Sequence, residues 1–209
     1  MAVSQVTFGP VRTPAAGRVF GSEQGTERKG PVMRAVVIYE SMFGNTHAIA
    51  REIAAGLAGK INVVVLPVGQ VGPAEISEAD LIVVGGPTHV HGMARASTRK
   101  AAAKQAEQDR GLRLEPDALR DGLREWLPSL GNRRGHALAA AFDTRLAGPP
   151  VFTGRASTGI GRALRRSGYE LMAEPESFLV TKRNTLRDGE LERARAWGAA
   201  LTGSLSLTS

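Results

Sequence analysis

The sequence predicts an α/β fold, in which a five-stranded parallel sheet lies between two helical layers as a three-layer sandwich. Three observations carry this. From Met33 onward, short apolar runs alternate with stretches of helical period. The runs are nearly continuous rather than alternating, as in parallel strands covered on both faces. Loops of small and polar residues follow the runs, and in such sheets ligands bind beyond the carboxyl ends of the strands.

The elements follow in order. Residues 35–39 (Ala-Val-Val-Ile-Tyr) form the first strand. Residues 46–57 form a helix with Ile49, Ile53 and Leu57 on one face. Residues 61–66 are the second strand, 73–77 a short helix, and 81–85 the third strand, closed by Gly85-Gly86-Pro87. Residues 94–110, rich in Ala, Lys, Gln and Arg, are partly helical. Residues 116–127 form a helix with Pro116 near its start and Leu119, Leu123, Trp126 and Leu127 on one face. Residues 137–142 are the fourth strand and 157–167 the next helix. Residues 179–181 lie in a fifth strand that starts as early as Tyr169. Asp188 is placed to cap a last helix carrying Leu191, Ala194, Trp197 and Leu201. With strand order 2-1-3-4-5, the loops after strands one, three and four are neighbours.

Composition sets the outer limits. With 209 residues the chain suits one domain, here residues 33–203, preceded by an extension (1–32) and followed by a frayed end (204–209). The extension is rich in Gly, Pro, Ser and Arg, lacks periodicity and reads as disordered. It has no apolar core of the kind a secretory signal needs. Met33 directly precedes the first strand and is the expected natural start, with the extension dispensable. The chain has no cysteine, which excludes disulfides and thiolate chemistry. No apolar run approaches the roughly 20 residues of a membrane span, so a cytoplasmic protein with no membrane partner is expected. The net charge is +7, but the basic residues are scattered with few aromatics nearby, which argues against nucleic acid. The densest basic cluster, Arg162, Arg165 and Arg166, reads as the solvated face of a helix ending at Gly168, with a patch for an anionic partner as the alternative.

The chemistry concentrates at Ser41-Met42-Phe43-Gly44-Asn45-Thr46, between the first strand and the first helix. A helix N-terminus presents unpaired N–H groups and the positive end of its dipole, and so binds phosphate. Ser41 and Thr46 add hydroxyls, and Gly44 permits close backbone approach. The loop lacks the Gly-Lys-Ser/Thr ending of an ATPase phosphate loop. Ser157-Thr158-Gly159-Ile160-Gly161 lacks a full dinucleotide fingerprint and reads as a helix N-cap. His47, His89 and His91 fall on candidate loops, but no acidic cluster joins them, so no metal site is expected. A histidine beside a redox ligand would change charge near pH 6.5. Asp143-Thr144-Arg145 reads equally as a plain turn after the fourth strand.

Two motifs carry a family resemblance. Ser41–Thr46 resembles the phosphate loop of the flavodoxin-like family. Gly85-Gly86-Pro87-Thr88-His89-Val90-His91-Gly92-Met93 resembles its second flavin loop, shared with tryptophan-repressor-binding-protein-like quinone reductases. The element order of residues 34–202 is similar throughout, and the chain resembles an actinobacterial-type flavodoxin domain. The resemblance implies FMN as cofactor, its phosphate on Ser41, Met42, Phe43, Gly44, Asn45 and Thr46. Pro87, Thr88, His89, Val90 and His91 would contact the ring and ribityl chain. Phe142, Asp143 and Thr144 match the third loop by position, with Val90, Met93 and Phe142 as ring walls. The implied role is electron transfer. The alternatives are an FMN-dependent NAD(P)H quinone or flavin reductase, and a non-redox interaction module that has lost the flavin. Expected partners are a redox protein or a small quinone or nicotinamide, with homo-oligomer formation left open. Two departures stand out: residues 141–153 hold only Phe142 and Phe152 as aromatics, and the chain is basic where many carriers are acidic. Segment 94–113 is insertion-like and could cover the site or contact a second subunit.

Overall fold

The computed structural model describes residues 33–59, 61–89, 91–132 and 137–205. The expected extension (1–32) and residues 206–209 lie outside the described residues, as does Val90. In chain order the elements are β1 (Arg34–Tyr39), α1 (Asn45–Leu57), β2 (Asn62–Pro67), α2 (Pro73–Ser77), β3 (Leu81–His89), β4 (Gly92–Met93) and α3 (Ala96–Gln108). They continue with α4 (Leu123–Trp126), β5 (Ala137–Leu146), α5 (Pro150–Thr153), α6 (Ala156–Arg166), β6 (Tyr169–Leu171), β7 (Glu176–Val180) and α7 (Glu190–Leu205).

The parallel sheet runs β2-β1-β3-β5, with β6 and β7 both parallel to β5 at the far edge. β6 pairs with residues 137–139 and β7 with residues 142–146, so two short strands share the fifth position of a 2-1-3-4-5 order. Pro175 lies in the gap between them and cannot donate to a ladder. β4 adds a short antiparallel return on the end of β3.

The apolar runs are buried on both faces, as their continuity requires. Ala35, Val37, Leu81, Val83, Ala140 and Phe142 join one core with Ile49, Ile53 and Leu57 of α1 and Ala194 and Leu201 of α7. Val36, Ile38, Ile82, Val84, Ala139 and Ala141 join the opposite core with Leu123, Leu127, Ile160 and Leu164. Burying a side chain of this size contributes about 1.5–3 kcal/mol. Trp126 and Trp197, expected in the core, are partly buried against these clusters. The helices α1 and α7 approach so closely that Cβ atoms on Gly56 and Gly198 would strike the backbone of Arg195 and Ile53.

Three expectations need correction. Residues 116–127 do not form one helix. Isolated turns (Ala118 N–H to Glu115 O, Arg120 N–H to Asp117 O) precede an extended Gly122, and α4 starts at Leu123. The cause is tertiary: the Glu40 carboxylate accepts the Leu123 N–H at 2.9 Å and fixes the helix start there. Leu119 consequently stands exposed. The third and fourth strands extend well past the apolar runs, to His89 and Leu146, because their ladder continues through Gly86–Asp143 and Pro87–Thr144. Asp143-Thr144-Arg145 is therefore strand rather than turn. Finally, Asp188 does not occupy the cap position of α7: the Arg193 N–H bonds the Gly189 carbonyl, and α7 continues to Leu205 through part of the end expected to fray.

The N-terminus of α6 is capped from across the sheet. The Ala156 N–H donates to Thr88 Oγ1 at 2.9 Å and the Ser157 N–H to Asp143 Oδ2 at 2.7 Å. Asp143 is fully buried, and desolvation pushes its carboxyl above the usual range, against the lowering pull of the Ser157 N–H bond. Thus the Ser-Thr-Gly segment is the first turn of a helix, and its cap comes from β3 and β5.

Candidate cofactor site

A cleft of about 240 Å³ opens at the carboxyl ends of β1, β3 and β5. The chain sets its floor by ending β1 at Tyr39, bonding the Glu40 N–H to Gly85 O, and turning into α1 through Gly44. Gly44 has φ +90°, a left-handed conformation that favours glycine. Its N–H donates to Ser41 Oγ at 3.1 Å, which closes the turn and leaves the hydroxyl proton of Ser41 to donate elsewhere. The first intrahelical bond runs from the Ala48 N–H to Gly44 O, so the N–H groups of Asn45, Thr46 and His47 have no acceptor within α1.

Ser41, Met42, Phe43, Asn45 and Thr46 line the cleft on one side, and Pro87, Thr88 and His89 of β3 line it on another. Thr144 completes this set, its hydroxyl 2.7 Å from that of Thr46 across the sheet end. The structure therefore brings nine of the expected site residues together. His89 Nε2 is buried without a hydrogen-bond partner, and desolvation lowers the pKa of its ring. A neutral imidazole with one unpaired nitrogen is ready to give or take a single bond from a ligand.

Other expected residues lie elsewhere. Phe142 is fully buried in the core, edge-on to Phe178 (6.2 Å) and Trp197 (6.5 Å), and gives the cleft no wall. Adjacent strand residues face opposite sides of a sheet, and so the neighbouring Asp143 caps α6. His91 and Met93 border the grooves on the far side of β3. His47 stacks on Tyr39 at 4.5 Å and meets Glu115 at 3.3 Å, away from the cleft.

The sequence reading missed the segment after β7. Val180, Thr181, Lys182 and Asn184 line the cleft, and the Asn45 side-chain amide donates to Asn184 O at 2.9 Å. A tight turn holds this segment, with the Thr181 N–H on Thr185 O and Asn184 at φ +57°. The signal was available: Thr181-Lys-Arg-Asn-Thr185 is a polar run at the carboxyl end of a strand. Arg145, Leu146 and Gln105 also line the cleft. Gln105 belongs to α3, whose Ala102 packs with Met42 and Ala118, so part of segment 94–113 does cover the first loop.

Charge is arranged around this cover. Arg99 of α3 is buried between Glu125 (3.1 Å) and Glu40 (3.5 Å). Burial raises the Glu40 carboxyl above its usual range, more than Arg99 and the Leu123 N–H bring it down. Glu125 is more open. Its partial burial pushes upward, but the Arg99 hydrogen bond and the Gly122 N–H hold it below the usual range. Among the described residues no Asp or Glu lines the cleft itself, while Arg145 and Lys182 do. An anion is the ligand this electrostatic setting favours.

The lining tests the fit of FMN. The first loop, two hydroxyls and the start of α1 suit a phosphate, and Thr88 and the orphaned His89 nitrogen suit a polar chain or ring edge. At about 240 Å³ the cleft lies below the ~300 Å³ typical where a ligand is mostly enclosed, so a tricyclic ring would keep one edge in solvent. Among the described residues no Tyr or Trp lines it. Among the described residues no group of three or more His, Cys, Asp or Glu could hold a metal ion, and no helix is long and apolar enough to cross a membrane.

Comparison with known proteins follows the same lines. The flavodoxin domain model matches residues 36–105. No curated protein matches the sequence. Among solved structures, an archaeal flavodoxin is 20% identical with a TM-score of 0.55, covering 83% of this chain and 99% of its own. Oxidised flavodoxin 2 from Bacillus cereus is 20% identical, TM-score 0.57, covering 81% of this chain and 98% of its own. A WrbA-like flavodoxin from Agrobacterium tumefaciens is 17% identical, TM-score 0.53, covering 83% and 98%. The chain is thus flavodoxin-like: its described residues carry that fold, and residues 36–105 carry the sequence signature of the flavodoxin domain.

Proposed function

We propose that this protein binds FMN in the cleft between the Ser41–Thr46 loop and β3 and serves in electron transfer. One observation carries the reading. Two motifs more than forty residues apart in sequence, Ser41–Thr46 and Pro87–His89, meet in one carboxylate-free cleft at a helix N-terminus. In this reading the open N–H groups of Asn45, Thr46 and His47 and the Ser41 hydroxyl bind the phosphate. Thr46 is held by Thr144, and Asn45 by Asn184, so the donors are fixed before the ligand arrives. From the β3 side, Thr88 and His89 supply polar contacts beside Pro87. Bound flavin would supply the redox chemistry, and the protein would set its potential by charge and hydrogen bonds.

The test is titration of the purified chain with FMN, followed by flavin fluorescence and by absorbance near 450 nm. Saturable binding at micromolar FMN, weakened at least tenfold in Thr46→Glu, is the expected outcome. Absence of binding at micromolar FMN would refute the proposal and leave the non-redox module. With FMN bound, steady-state turnover of NADPH with a quinone would favour the reductase over the carrier.

A further inference from the structure

The loop from Ala147 to Arg155 projects between two clefts, and its tip is apolar and bare. Val151 is 77% exposed and Phe152 75% exposed, with Leu146 half exposed beside them. The tip is not slack. The Arg145 guanidinium donates to Leu146 O (3.2 Å), Gly148 O (2.8 Å) and Thr153 Oγ1 (2.9 Å), and Gly154 bridges to His91. Arg155 is held to Pro175 O (2.5 Å) and Ser177 Oγ (3.2 Å). A rigid loop with two bare apolar side chains can bind without a large ordering cost.

The surroundings are basic. A groove of about 500 Å³ on one side of the tip is lined by Val151, Pro150, His91, Arg124, Arg155 and Arg162. The adjoining groove of about 370 Å³ adds Arg95, and the FMN-site cleft on the other side adds Arg145 and Lys182. Among the described residues, no Asp or Glu lines any of the three. The carboxylates near the first loop instead gather around a separate cleft at Tyr39, with Glu115, Asp117 and Asp121. Neighbouring exposed apolar side chains with a polar rim mark an interaction face, and a rim of one charge sign favours a partner surface of the opposite sign.

We infer that the Val151–Phe152 tip and its arginine rim form a docking face for an acidic protein, with the apolar tip as anchor and Arg162 and its neighbours steering the approach. That this partner carries electrons rests on the FMN reading; the docking itself does not. The sign of the rim charge selects the partner: a carboxylate-rich surface gains from this rim, and a basic one is repelled.

The experiment is calorimetric titration of the full chain with an acidic plant-type ferredoxin as probe, with basic cytochrome c and a 20-base-pair DNA duplex as competitors. Affinity for the ferredoxin should fall about tenfold between 50 and 200 mM NaCl, since the screening length shortens across that range. The double variant Val151→Ser, Phe152→Ser should weaken binding at least about fivefold. Arg162→Glu, at an exposed position, should weaken it by a similar factor and flatten the salt dependence. Circular dichroism and FMN affinity should be unchanged in both variants, which separates loss of docking from loss of fold. Variants that bind like the parent, salt-independent binding, or preference for cytochrome c would overturn the proposal. Tighter binding of the duplex at the same residues would reassign the face to nucleic acid. A chain that takes up no FMN but still binds ferredoxin as described would sink the flavin reading alone.

Discussion

Replacing Arg99 by Met should expose the cost of the buried charge between α3 and the end of β1, and the cost should depend on pH. Arg99 is 3% exposed and Glu40 5% exposed. Methionine fills much of the same volume but leaves the Glu40 carboxylate with only the Leu123 N–H. An uncompensated buried charge costs about 3–5 kcal/mol. Glu40 can escape by taking a proton, and at pH 7 that escape costs about 3.5 kcal/mol, from roughly 1.36 kcal/mol per pH unit above an ordinary Glu pKa. Burial already raises Glu40 in the parent, so part of this cost is already present. The expected loss is therefore about 2–3 kcal/mol at pH 7. As the pH falls toward 5, protonation becomes cheap and the loss should shrink below about 1 kcal/mol. Urea unfolding of parent and variant at pH 5, 6 and 7 measures this directly. Adding Glu40→Gln to Arg99→Met should recover stability at pH 7. A loss of equal size at pH 5 and 7, or a double variant no better than the single one, would refute the reasoning.

Two further outcomes follow from the same geometry. A Cβ on Gly85 would press into the Phe142 ring, which is fixed by Phe178 and Trp197. Gly85→Ala should cost about 1–3 kcal/mol, a drop of about 2–10 °C in melting temperature by calorimetry; an unshifted melt would show that the ring has room to move. For His89 the folded pKa is depressed by burial, so the unfolded chain binds the proton first as pH falls. The parent should lose stability as pH drops below about 6.5, by up to about 1.4 kcal/mol per unit until the folded ring is protonated. His89→Asn should remove that part of the slope in urea unfolding, and an unchanged slope would mean the ring titrates as if in water.

The order of the elements was legible because burial on both faces of a parallel sheet leaves continuous apolar runs, and helices leave their own period. Residues 35–39 and 81–85 and the face Ile49–Ile53–Leu57 needed no more than that. The first loop was legible for the same reason: a small, hydroxyl-bearing turn between a buried strand and a helix has few uses. The second loop was legible only as a motif, and its residues part company in three dimensions. Pro87, Thr88 and His89 reach the cleft, whereas His91 turns to the basic grooves beyond β3.

What tertiary structure decided was every feature fixed by a partner distant in sequence. Phe142 looked like a ring wall because it closes the fourth apolar run; the ladders with β3 and β7 prolong that strand, and its pleat sends the ring into the core. Leu123 starts a helix because Glu40, more than eighty residues earlier, takes its N–H. Thr88 and Asp143 cap α6 from two strands, a role that local sequence reserves for Ser157. Asn184 joins the site through Asn45 at the opposite end of the domain's sequence. Sequence alone set the alternation, the burial and the turn into the first helix, because these depend on neighbours along the chain. Which side chains face the cleft, and where the charge gathers around it, depended on strand register and on contacts across the sheet.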